Sequence, residues 1–93
     1  MMVTEDAEGT VEYRKPSSEI RRRLSANLKR IRAARGYTQE DLAVLSRMHK
    51  NYISNIEQTA VNPTLASLEA LATGLGCTEA ELLTAQREWK DRP

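Results

Sequence analysis

Apolar residues recur along this chain at helical spacing. Ile20, Leu24, Leu28 and Ile31 lie four, four and three residues apart, which is one face of a helix. Pro16, Ser17 and Ser18 mark its start, with either serine as cap, and Gly36 suits the left-handed residue that ends it. The next starts share one design. Thr38 is followed at the third helical position by Asp41, a capping box flanked by Tyr37 and Leu42 as a hydrophobic staple. His49 takes the following cap, with Met48 and Ile53 as staple. Pro63 precedes Thr64, which caps a helix carrying Leu65, Leu68, Leu71 and Ala72 and closed by Gly74 and Gly76. Thr78 and Glu81 form a full capping box, with Cys77 and Leu82 beside it. The pattern predicts helices over 18–34, 38–46, 50–57, 64–74 and 78–90, hence an all-α fold. Val11 and Tyr13 alternate too briefly to make a strand.

The connection between the second and third helices is only Arg47 to His49. Two short helices joined so tightly must cross steeply, the arrangement of a helix-turn-helix unit. Residues 1–16 are polar and aperiodic and read as a flexible N-terminal arm, leaving 17–93 as the folded domain.

The chain has 93 residues, room for one core. Aromatics are 4% and Phe is absent, so the core must be built from Leu, Ile and Ala. Candidate chemistry is sparse. Cys77 and His49 each stand alone, and four scattered glycines form no phosphate-cradling loop. No enzyme, metal or cofactor is expected. No run of about 18 apolar residues exists to span a membrane, and Met1 to Glu12 lacks a basic-then-apolar signal pattern, so a cytoplasmic location is expected. The net charge of +1 hides an asymmetry: residues 18–58 carry nine bases against four acids, while each flank is net negative. A basic segment between acidic flanks matches a polyanion footprint.

Residues 38–63 read TQEDLAVLSRMHKNYISNIEQTAVNP. Thr38-Gln39-Glu40, Leu42-Ala43, Tyr52-Ile53-Ser54, Ile56-Glu57, Asn62-Pro63 and the Leu68, Leu71, Leu75 spacing together resemble the Cro/XRE family of helix-turn-helix DNA-binding proteins. That family includes phage repressors and restriction–modification controller proteins. The resemblance runs from about Leu24 to Leu83. It implies a compact five-helix, lambda-repressor-like domain and a transcriptional regulator of double-stranded DNA.

On the third helix Lys50, Asn51, Ser54 and Asn55 are polar and suited to base edges: Lys to guanine, Asn to adenine. The resemblance favours Lys50, Asn51 and Asn55 among them. It implies phosphate contacts at Thr38, Gln39 and Tyr52, with Gln58 and Asn62 beside them. It pairs Arg32 with Glu57 and implies a homodimer on a palindromic site. Leu82, Leu83 and Trp89 are the expected dimer contacts, since they exceed what a small core needs. A second reading is an antitoxin whose arm and last helix bind a toxin.

Three positions depart from the family pattern. Arg47 stands where Gly or Asn is usual; a left-handed backbone would cost Arg about 1 kcal/mol, so the turn is expected to differ slightly. His49 replaces a Ser, Thr or Asp cap and weakens it unless the imidazole accepts an N–H. Gln58-Thr59-Ala60-Val61 stands where relatives often carry Arg and Gly. Basic phosphate grips are thereby lost, leaving either lower affinity or compensation by Arg21, Arg22, Arg23 and the arm.

Overall fold

The computed structural model describes residues 18–85. They form five helices: α1 (Ser18–Ala34), α2 (Gln39–Ser46), α3 (Lys50–Glu57), α4 (Leu65–Leu75) and α5 (Glu79–Leu83). There is no strand among the described residues. The helices close a ring of contacts: α1 packs on α3 and α5, α2 on α3 and α4, and α4 on α5. Leu28, Leu42, Ile53, Leu71 and Leu82 meet at its centre, fully enclosed. The expected arm over 1–16 lies outside the described residues.

The three predicted threonine caps are present. Thr38 Oγ1 accepts from the Asp41 amide at 3.0 Å, and Asp41 Oδ2 accepts from the Thr38 amide at 2.9 Å. Thr78 and Glu81 repeat this reciprocal pair, and Thr64 Oγ1 accepts from the Ser67 amide. His49 makes no side-chain cap bond, so α3 begins on its backbone alone.

Helix ends follow one device four times over. A left-handed residue stops the helix, and the next residue's amide reaches back five positions. Tyr37 N–H donates to Arg32 O, Met48 to Ala43 O, Ala60 to Asn55 O and Cys77 to Ala72 O. The left-handed residues are Gly36, Arg47, Thr59 and Gly76. Tyr37, Met48 and Cys77 then pack against the core, so one residue closes each turn and staples the next helix. Arg47 thus adopts the strained backbone in full, at φ 58° and ψ 44°, rather than reshaping the turn. The bonds it makes to Ala43 and Val44 hold it there.

Two boundaries differ from the sequence pattern. Gly74 does not end α4 but lies inside it, where α2 crosses. A Cβ there would stand 3.2 Å from Ser46 Cβ and from Ser46 N, so the glycine permits close approach. The last helix stops at Leu83 instead of reaching 90, and Thr84 is extended. The cause is Asn27, fully buried on α1. Its Nδ2 donates to Leu82 O at 2.9 Å and Thr84 O at 2.8 Å, while its Oδ1 accepts from Arg30. These bonds satisfy carbonyls that would otherwise drive another turn. The expected stretch 86–90 lies outside the described residues.

Candidate nucleic-acid interface

α3 has two unlike sides. Ile53 and Ile56 point into the core, with no more than 2% of either exposed. Lys50, Asn51 and Asn55 are exposed, and Ser54 is half-buried. Lys50 Nζ lies 4.0 Å from Glu40 Oε2, a loose surface pair that an anion can displace. Gln58 is exposed and donates from Nε2 to Ser54 Oγ at 3.0 Å.

The end of α3 is fixed by Glu57, whose side chain is 5% exposed. Arg32 meets it in a two-point fork, Nε to Oε2 at 2.8 Å and NH2 to Oε1 at 3.2 Å. Arg32 NH1 also donates to Tyr37 O, tying the α1–α2 turn into the cluster. Gln39 Nε2 donates to Glu57 Oε1 at 2.9 Å. Ser25 Oγ, buried on α1, donates to the Glu57 backbone oxygen. The Arg32–Glu57 pair is therefore present, and Gln39 and Ser25 join it. Gln39 is not a free surface amide, because its side chain helps hold α3. Its place at the start of α2 hinted at phosphate, and nothing in the sequence marked the bond to Glu57.

The remaining expected phosphate contacts scatter. Thr38 is exposed, but its hydroxyl oxygen and amide are engaged in the capping box. Helix geometry leaves the next amides of α2, at Gln39 and Glu40, without intrahelical acceptors. Tyr52 is half-buried, its hydroxyl 3.2 Å from Ser67 Oγ on α4, so it bridges α3 to α4. Asn62 is half-buried, with Oδ1 enclosed and lacking a donor. Arg21 NH1 donates to Thr59 O at 3.3 Å, tying α1 to the loop that lacks basic residues of its own. Arg22 and Lys29 border an open depression with Gln58 and Thr59.

Leu82 corrects the expected dimer surface. It is 0% exposed and belongs to this chain's own core, so it has no face left for a partner. Leu83 is half-buried, and Trp89 lies outside the described residues. Burial, and then the Glu81 carboxylate, pushes the Cys77 thiol up, away from a reactive thiolate. Among the described residues no group of three acidic, His or Cys side chains could hold a metal ion. No described helix is long and apolar enough to cross a membrane.

A family model described as a helix-turn-helix domain matches residues 23–85. An uncharacterized HTH-type transcriptional regulator, y4dJ of Sinorhizobium fredii, is 34% identical over 75% of this chain and 91% of its own length. The control protein C.SmaI of Serratia marcescens is 35% identical over 73% of this chain and 81% of its own. The crystal structure of a hypothetical transcription factor from Neisseria superposes with a TM-score of 0.74 at 28% identity, covering 87% of this chain and 94% of that one. With the tight α2–α3 turn, the locked Glu57 and these likenesses in agreement, the chain belongs to the helix-turn-helix family of DNA-binding transcriptional regulators, in the group that includes phage repressors and restriction–modification controllers.

Proposed function

We propose that the protein is a sequence-specific repressor or autoregulator that binds a palindromic operator as a homodimer. The observation that carries this reading is the division of α3. Its inner side and last residue are locked into the domain, while Lys50, Asn51 and Asn55 stay exposed at its outer side. A helix so held can enter a major groove without disturbing the core. Lys50 donates to guanine O6 and N7, Asn51 and Asn55 pair with adenine N6 and N7, and Ser54 serves either. Beside the capping Thr38, the Gln39 and Glu40 amides at the start of α2 offer N–H groups and a positive dipole end to a phosphate. Tyr52, Gln58 and Asn62 are the further proposed phosphate contacts. Arg21, Arg22 and Arg23 supply the positive charge that the 58–61 loop lacks.

Two copies pairing near the C-terminal end of the domain, around Leu83, would set their recognition helices about 34 Å apart. The ligand assigns the protein to the bacterial cytoplasm.

Selection from a random DNA library, read by sequencing, is the decisive experiment. A two-fold symmetric consensus is expected, with binding that weakens steeply with salt. Asn55→Ala then loses about 1–3 kcal/mol on that consensus and relaxes one base position. An equal loss on all sequences would make Asn55 a phosphate contact. No enrichment, or a flat salt response, would remove DNA as the ligand. Light scattering that finds only monomer, with and without the selected DNA, would end the dimer reading.

A further inference from the structure

Where α1, α4 and α5 meet, an open groove of about 320 Å³ lies between Leu24, Pro63, Leu65, Leu68 and Leu83. Leu65, the first residue of α4, is 84% exposed along it. Single exposed leucines are common, but a concave surface walled by apolar side chains marks a docking site.

We propose that this groove receives Trp89 of the same chain. Leu83 forms one wall, and Ala85, the last described residue, follows two positions on, so the segment beyond it starts close to the groove in sequence. Four residues carry it from Ala85 to Trp89, a reach of about 14 Å when extended. Trp89 is the chain's single tryptophan and the one large apolar side chain in the segment QREWKDRP. Its indole has apolar area to bury and a ring face that attracts a guanidinium. Arg21 borders the groove, with its Nε enclosed and unpartnered. Glu88, beside Trp89, adds a complementary charge. A tether this short gives an effective concentration on the order of millimolar, which favours the chain's own tail over a second copy at micromolar protein.

Tryptophan fluorescence of the full chain tests this, because every photon of indole emission reports Trp89. The wild-type emission should be blue-shifted, poorly quenched by iodide, and unchanged on dilution. Leu65→Glu should move it to the red and open it to quenching. That substitution lies on an exposed first turn, where an acidic side chain suits the helix dipole, so circular dichroism should show an intact fold. Three results would overturn the proposal. Wild-type emission of a water-exposed indole would leave the groove to the N-terminal arm or to nothing. A blue shift lost on dilution would give the groove to a second copy. An emission unmoved by Leu65→Glu would put Trp89 elsewhere. None of these readouts depends on DNA binding.

Discussion

Replacing Arg32 with Ala tests whether α3 is held by a buried charge pair. The substitution removes both arms of the fork to Glu57 and the bond to Tyr37 O. It leaves a carboxylate that is 5% exposed with one side-chain donor, Gln39. Stranding a fully buried charge costs about 3–5 kcal/mol. Arg32 itself is 19% exposed and Gln39 still donates, so the lower end applies, about 3 kcal/mol. For a domain of this size that corresponds to a fall in Tm of roughly 12–24 °C. Thermal and urea unfolding followed by far-ultraviolet circular dichroism would measure it. A double variant, Arg32→Met with Glu57→Leu, should recover most of the loss, because matched apolar side chains replace a buried pair at little cost. A loss below about 1 kcal/mol for Arg32→Ala, the range of a solvent-exposed pair, would refute the reasoning. So would a double variant no better than the single one.

Other substitutions probe the backbone and the thiol. Thr59→Gly should stabilise the domain by roughly 0.5–1 kcal/mol, since it relieves a β-branched residue at φ 57° while adding freedom to the unfolded chain; a lower urea midpoint would contradict this. Gly74→Ala should destabilise by about 1–3 kcal/mol despite the better helix propensity of alanine, because the new Cβ meets the Ser46 backbone; an unchanged midpoint would show that α2 can yield. Cys77 should react with iodoacetamide more slowly in the folded than in the urea-unfolded chain, and equal rates would refute its burial. Because the folded thiol holds its proton more tightly, its stabilising effect is complete below the ordinary thiol range and is lost as pH rises from that range through the raised value of the folded chain.

What the sequence made legible is what short-range chemistry controls. Thr38 with Asp41, Thr64, and Thr78 with Glu81 announce their helices because a cap needs only residues three apart. Gly36 and Gly76 announce helix ends for the same reason, whereas Arg47 and Thr59 adopt that geometry with no glycine to advertise it. Features set by distant partners were hidden. Asn27 ends α5 across 55 residues of chain. Gly74 is explained by Ser46 on another helix, and Leu82 fills a core that the pattern alone did not extend to it. Within the site, the exposed positions of α3 followed from periodicity, and the Arg32–Glu57 pair followed from family likeness. The parts played by Gln39, Ser25 and Tyr52 depend on how α1, α2 and α4 converge on α3.

The two ends of α3 are secured unequally. Its last residue is gripped by Arg32, Gln39 and Ser25, while its first turn lacks a side-chain cap and is held by the His49 carbonyl, the buried Ile53 and the Tyr52 bond to Ser67. The helix is thus clamped by charge at the rear, and the end that carries Lys50 and Asn51 is uncapped. If α3 reads DNA as proposed above, its aim is set at the far end from the bases, and any accommodation to different nucleotide surfaces falls to the uncapped end.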